Sequence, residues 1–381
     1  MKIKVLIIED EDNIAELLQD SIRSQLSGLS HNCVFGRCAR ITGSVETLRD
    51  FRPHVVTLDL KDDLNDDADA GRPTWESIRD EHFCPVVFFS ANPLPDGFPD
   101  GQDPFAQYLN KGEKNTEDVA AVVGSFIPHI EGLQTLRDEV ESRYAKSLQK
   151  VSRLVWSAAT PEERVQAMLR VTRRRLAATL EHPVGSEQTI KAWEQFIYPP
   201  IDDSLCTGDV LRRVGGTQNV AGDYRVILSP PCDLVVGQNR NPVSNVLVGR
   251  CMSVRDPEVI RKKSLKAIIN DKPNPKLEEQ LGQKLCDDKM DGMVVVPKLA
   301  GVWPAMVLDL KSLEVLERAK IATTQDTPAA DSEFVRIASM DSPFREALSW
   351  RFTHTVGRPG YPEHDETSLA QDIVEAAKLQ P

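Results

Sequence analysis

The stretch IKVLIIEDED, residues 3–12, decides the fold. Residues 3–8 form an almost unbroken apolar run, which suits a parallel strand covered on both faces rather than a strand with one wet side. The run stops abruptly at Glu9, Asp10, Glu11 and Asp12, and then Ile14, Leu17, Leu18 and Ile22 recur at helical spacing. Strand, acidic loop and helix therefore follow one another.

The same unit repeats outward from this start. A strand is expected near Cys33–Ala39, a helix near Val45–Phe51, and a second buried strand over His54–Leu60 that carries Asp59 at its end. Further strands are expected at Pro85–Ser90 and Phe105–Leu109, the latter followed by Lys111 and a helix from Glu117 to about Ile130. Short buried strands alternating with helices predict an α/β domain, a doubly wound five-stranded parallel sheet, over residues 1–131.

In such a sheet the loops at the carboxyl ends of the strands converge on one crevice. Glu9 and Asp10 end the first strand, Asp59 the third and Ser90 the fourth, while Lys111 follows the fifth. Mg²⁺ prefers octahedral oxygen ligation with one or two carboxylates and several waters, which Glu9, Asp10 and Asp59 can supply. Taken singly, Glu9 and Asp10 could equally cap the next helix, Ser90 could be a turn residue and Tyr108 a core aromatic. Asp59 resists that treatment, because a carboxylate closing an apolar strand needs a metal or lysine to offset its burial.

These five residues, in this order on these strand ends, resemble the receiver domain of two-component response regulators over roughly residues 3–131. The resemblance implies that Asp59 is the phosphoacceptor, Ser90 the hydroxyl residue and Lys111 the phosphoryl-binding lysine. It also implies that Tyr108 is the aromatic switch, and that the backbone carbonyl of Lys61 joins Glu9, Asp10 and Asp59 around Mg²⁺. A histidine kinase is the implied partner. Two departures stand out: Lys61 opens a long acidic insertion reaching Asp69, and Gly112 follows Lys111 where the family commonly has proline.

The chain has 381 residues, 40% apolar and 27% charged, and no apolar run approaches a membrane span of roughly 18 residues. At about 150 residues per domain this is two or three domains. The N-terminus reads as a strand rather than a secretory signal, so a cytoplasmic location is expected. Seven cysteines without CxxC spacing point to reduced thiols and not to zinc. Of the formal net charge of −12, residues 1–130 hold 23 acidic against 12 basic side chains, leaving −1 for the remainder. An acidic field repels phosphate backbones and suits a cation or a basic partner.

Residues 132–200 read as a helical linker region. Leu133, Leu136, Val140, Tyr144, Leu148, Val151 and Val155 form a stripe that fits either a homodimeric coiled coil through 133–155 or a helix packed on its own domain. Thr160, Pro161, Glu162 and Glu163 announce a new helix. Arg173, Arg174 and Arg175 read as a solvated helix face rather than a nucleic-acid contact.

From residue 201 the texture changes to short β-type runs, clearest at Tyr224–Leu228, Val243–Val254, Met293–Pro297 and Ala305–Leu310, with helices expected over Pro257–Ile269 and Pro275–Cys286 and a polar loop over Thr323–Ser332. An α+β domain over 201–381 is expected, with a small β-barrel as one form. Its sharpest feature is VILSPPCDLV, residues 226–235, which places Cys232 and Asp233 at a strand end. Catalysis by Cys232 would need a basic neighbour, and His354 and His364 are remote in sequence, so a structural turn with a buried thiol is the competing reading. Phe344, Leu348 and Phe352 recur four apart, as core packing requires.

The turn at Ser229–Asp233 and the helix start Ser342-Pro-Phe-Arg-Glu together resemble an uncharacterised domain of bacterial conflict loci, and through it the receiver proteins of Detocs-type anti-phage two-component systems. That resemblance implies a phosphate sink restraining a toxic effector, with a second receiver or effector protein as partner. Two alternatives stay open: a receiver-controlled enzyme using Cys232 and Asp233, and a DNA-binding transcriptional regulator, for which no helix-turn-helix with a basic recognition helix is visible.

Overall fold

The computed structural model describes residues 2–41, 43–61, 70–98, 103–181, 190–235, 241–256, 292–323, 331–357 and 366–378, with 259, 275–276 and 279. The acidic insertion after Lys61, His364, most of the polar loop 323–332 and most of both helices expected between 257 and 286 lie outside them. The chain divides into two units, Met1–Ser186 and Glu187–Pro381.

The N-terminal unit is built on β1 (Lys2–Ile8), α1 (Asp12–Gly28), β2 (Asn32–Cys38), α2 (Ser44–Phe51), β3 (Val55–Leu58), α3 (Arg72–Asp80), β4 (Val86–Ser90), β5 (Ala106–Asn110) and α4 (Thr116–Ser125). The strands pair in the order β2-β1-β3-β4-β5, all parallel. The near-continuous apolar character of β1 follows from two covers. Ile3, Val5 and Ile7 join α1 and α4 residues in one core, whereas Leu6 and Ile8 join Leu48, Trp75 and Ile78 in the other.

Asn115 caps α4, accepting from the backbone N–H groups of Glu117 and Asp118, while Asp118 reaches back to the Asn115 N–H. The helix expected to continue to about Ile130 ends at Ser125. Pro128 lacks an N–H and belongs to the first turn of α5 (Ile127–Ala158), so the chain breaks at Phe126 and a 32-residue helix starts instead. That helix packs alongside α6 (Arg164–Glu181). Its later buried residues, Ser147, Val151 and Val155, belong to the stripe read from the sequence or sit beside it.

Two features of this unit escape sequence periodicity. Helix α3 follows the acidic insertion, and Gly71 before it is held at the sheet by its N–H to the Leu60 carbonyl (3.2 Å). A Cβ there would stand 3.1 Å from the Asp59 carbonyl oxygen, tighter than most side chains tolerate. Between β4 and β5 the described residues form no helix. Phe98 covers the gap, edge-on to Phe88 (5.4 Å), stacked on Trp75 (6.2 Å) and beneath the Arg72 guanidinium (5.0 Å).

The C-terminal unit is an antiparallel sheet domain. Its strands are β6 (Phe196–Ile197), β7 (Val210–Arg213), β8 (Tyr224–Ile227), β9 (Asn245–Ser253), β10 (Met293–Val296), β11 (Met306–Glu317), β12 (Ile321–Ala322) and β13 (Phe334–Met340). They follow the order β10-β11-β9-β8-β7-β13-β12, with β6 also on β13 and only the β12–β13 pair parallel. One turn of helix, α7 (Pro231–Leu234), follows β8, and α8 (Phe344–Val356) follows β13. Leu348 is buried in the main core with Phe344 and Phe352 packed against it. The last helix is α9 (Glu366–Lys378).

Strands β7 and β13 carry charges that hide them from an apolar reading. Arg336 of β13 is buried, and its guanidinium lies 3.6 Å from the equally buried Asp209 just before β7, which offsets the cost of taking both charges out of water. No helix among the described residues is long and apolar enough to cross a membrane.

Candidate functional site

The crevice at the carboxyl end of the parallel sheet collects side chains from four strand ends. β1 delivers Glu9 and Asp10, β3 delivers Asp59, β4 ends at Ser90 and β5 is followed by Lys111. Carboxylate oxygens of Glu9, Asp10 and Asp59 lie within 4.8 Å of one another. The order β2-β1-β3 places β1 and β3 side by side, so the acidic loop after Ile8 and the acid after Leu58 must meet.

Asp59 is held at both oxygens. Its Oδ1 accepts from the Leu60 N–H (2.6 Å) and the Lys61 N–H (3.2 Å), while Oδ2 accepts from Lys111 Nζ (2.6 Å). The same ammonium lies 2.9 Å from each Glu9 oxygen and 5.7 Å from the Phe89 ring centre. Glu9 and Asp59 are 1% and 6% exposed, so this is a buried carboxylate pair bridged by one cation.

The electrostatics follow from that burial. Desolvation pushes the Glu9 carboxyl up from 4.5 to about 7, against the pull of the Lys111 charge and hydrogen bond. Burial acts to lower the Lys111 ammonium, but the hydrogen bond and charge of Asp59, with those of Glu9, outweigh it and hold the group above its ordinary value. The donor set is all oxygen, compact and partly buried, and it fits a hard divalent cation such as Mg²⁺.

Ser90 is fully buried, and its carbonyl accepts from the Lys111 N–H (3.0 Å), so the hydroxyl residue and the lysine adjoin. Tyr108 stands opposite Phe88 in the β4–β5 ladder, and its hydroxyl donates to the Asn92 carbonyl (2.9 Å). Lys61 enters through its backbone N–H bond to Asp59. Asn92 and Asn110 are the residues that sequence reading missed. Asn110 bonds Tyr108 and the turn after Lys111, and the available signal was an asparagine at a strand end, a place where its side chain commonly bonds nearby backbone.

Cys232 and Asp233 lie far from this crevice in sequence and in the other unit. Cys232 is exposed on α7, so the buried-thiol reading of this turn does not hold. Among the described residues its hydrogen-bond partner is the adjacent Asp233 carboxylate (3.6 Å), and a carboxylate does not activate a thiol. His354 rests against Trp350 on its own helix, with ring centres 4.9 Å apart.

No protein-family model matches the chain, and no curated protein matches it. Solved structures do. The N-terminal domain of a response regulator/sensory box/GGDEF 3-domain protein from Carboxydothermus hydrogenoformans is 20% identical, covering 34% of this chain and 97% of that one, with a TM-score of 0.25. A response regulator receiver domain protein (CheY-like) from Methanospirillum hungatei JF-1 is 18% identical over 34% and 97%, TM-score 0.26. Chemotaxis response regulator CheY4 of Vibrio cholerae is 16% identical over 34% and 99%, TM-score 0.25. By its strand order and its crevice residues the N-terminal unit has the fold of a response-regulator receiver domain, and for the antiparallel C-terminal unit no family is shown.

Proposed function

We propose that the chain is a phosphoacceptor signalling protein, in which a histidine kinase delivers a phosphoryl group to Asp59. The observation that carries this reading is the Lys111 ammonium between Glu9 and Asp59, with Asp10 completing the acidic cluster. A carboxylate bridged by a lysine beside two more acids is costly to keep in a purely structural role.

Glu9, Asp10 and Asp59 would hold Mg²⁺, with the Lys61 carbonyl as a further ligand. When bound, the ion neutralises charge on the transferring phosphoryl oxygens. An oxygen of Asp59 attacks phosphorus as the bond from phosphorus to the donor's imidazole nitrogen breaks, so the imidazole leaves with the electron pair. Two backbone N–H bonds to Oδ1 fix the Asp59 rotamer before this step. Lys111 pairs with the new phosphoryl oxygens and the Ser90 hydroxyl donates to one of them. The added charge, about −1.5 to −2, then draws the Ser90 turn inward. Tyr108, two ladder positions from Ser90, is the switch residue of this reading.

The output is altered contact with the C-terminal unit or with a partner. A finer version makes the protein a phosphate sink in anti-phage defence, with a second receiver or effector protein sharing the kinase. Its support is the likeness of the Ser229–Asp233 turn and the Ser342–Glu346 helix start to domains of such loci. An enzymatic output through Cys232 draws support from the exposure of that thiol, and its want of a basic partner among the described residues counts against it.

The test is phosphotransfer from acetyl phosphate with Mg²⁺ to the full chain. Label on wild type that is released by alkali or hydroxylamine, and is lost in Asp59→Ala, is expected. An unlabelled wild type, or equal label on the variant, would overturn the reading.

A further inference from the structure

The phosphoacceptor crevice and Tyr108 are joined by one side chain that takes no part in the chemistry. Asn110 is the last residue of β5, immediately before Lys111. Its Oδ1 accepts from the Gly112 N–H (2.7 Å), which makes the other side-chain atom the amide nitrogen and settles the direction of its remaining bonds. Nδ2 donates to the Tyr108 hydroxyl (3.0 Å) and reaches the Ala91 carbonyl (3.4 Å). The Tyr108 hydroxyl donates onward to the Asn92 carbonyl (2.9 Å).

Three groups therefore meet on Asn110: the Lys111–Gly112 turn, the turn after Ser90 at Ala91, and the Tyr108 hydroxyl, which continues to Asn92 in that same turn. Lys111 and Ser90 are the two residues expected to move when Asp59 is modified, and Asn110 is bonded beside both. Because the described part of the β4–β5 connection forms no helix, side-chain bonds of this kind are what anchor its first residues to β5.

We infer that Asn110 is a positioning residue that couples modification of Asp59 to Tyr108, holding the tyrosine hydroxyl against the Ser90–Asn92 turn in the unmodified protein and releasing it when that turn shifts. The inference rests on the phosphoacceptor reading and deepens it. Its two bonding atoms separate the roles: Oδ1 supports the Lys111 turn, and Nδ2 reaches the tyrosine and the Ser90 side.

Asn110→Asp separates them experimentally, since the carboxylate still accepts from the Gly112 N–H but has no N–H to donate to Tyr108. The full chain is labelled with 3-fluorotyrosine, giving five fluorine resonances, and Tyr108→Phe identifies the one of interest. Beryllofluoride with Mg²⁺ serves as the phosphoryl mimic. In wild type the Tyr108 resonance should move at saturation. In Asn110→Asp half-saturation should stay within about threefold of wild type, below the roughly fivefold at which allosteric coupling usually begins, while the Tyr108 shift falls below half.

A full Tyr108 shift in Asn110→Asp would overturn the inference, and so would affinity and shift lost together, which would mark Asn110 as support for Lys111 alone. Beryllofluoride without effect on any property of wild type would overturn the phosphoacceptor reading itself. That failure is separable from the other two, because it precedes any comparison of variants.

Discussion

Lys111 Nζ lies 2.6 Å from Asp59 Oδ2 and 2.9 Å from Glu9, partners 52 and 102 residues away in the chain. The bridge is nearly closed to water, with the lysine side chain 13% exposed. Its strength depends on all three groups, because each carboxylate would be expensive to bury alone.

Lys111→Met removes the ammonium that, among the described residues, bridges this pair, and leaves two buried acids facing each other. In metal-free buffer near neutral pH, urea unfolding should show a loss of about 2–4 kcal/mol, and the loss should shrink at acid pH as Glu9 protonates. A variant as stable as wild type at both pH values would contradict the burial energetics described above.

Divalent cation should substitute for part of this charge balance. If Mg²⁺ binds only the folded chain, a concentration ten times its Kd adds about 1.4 kcal/mol, visible as a higher Tm than in EDTA. Asp10→Asn and Glu9→Gln should each weaken the effect. A Tm indifferent to Mg²⁺ up to tens of its expected working concentration would remove the metal from the account.

His82 gives a pH dependence independent of the crevice. Burial lowers its pKa from 6.5, the charges of Arg137, Arg52 and Lys4 push the same way, and the bond to the Pro53 carbonyl (2.9 Å) opposes them. A depressed histidine contributes stability that is present above about pH 6.5 and lost as pH falls through its folded value. Between pH about 7.5 and 5.5 the urea midpoint of wild type should therefore fall more than that of His82→Asn. Parallel profiles for the two proteins would refute this.

In the C-terminal unit Arg225 is 4% exposed and holds Glu314 through two bonds of 2.7 and 3.1 Å. Glu314→Ala should cost about 2–4 kcal/mol, nearer the lower figure because Glu314 is partly exposed and Arg225 keeps two carbonyl partners. Pairing the change with Arg225→Met should recover part of that loss, as a double-mutant cycle in guanidinium chloride would measure.

Thiol chemistry should sort by exposure. Cys84 and Cys251 are buried, and desolvation pushes both thiols up to about 12, so iodoacetamide should label Cys232 ahead of them in the folded protein. Peptide mapping that finds Cys251 alkylated before Cys232 would be incompatible with the packing of β9.

Much of the N-terminal unit was legible because burial on two faces writes itself into the chain. β1 and β3 are apolar almost throughout and end in acid, and that pattern alone locates Glu9, Asp10 and Asp59 on strand ends of one sheet. The α3 helix, the break at Phe126 and strands β7 and β13 were less visible. In each, a proline, a glycine held against the sheet or a buried charge pair outweighs the local apolar pattern, and none of these carries a period.

By itself the sequence determined that a doubly wound sheet forms and which acids and lysine stand at its strand ends, since hydrophobic periodicity is a local property of the chain. Only the tertiary structure decided that one ammonium bridges Glu9 and Asp59, that Asn110 reaches the Ala91 carbonyl and that the Tyr108 hydroxyl reaches the Asn92 carbonyl. Those are distances between segments far apart in the chain. They depend on how strands pair and side chains pack, which no local pattern encodes.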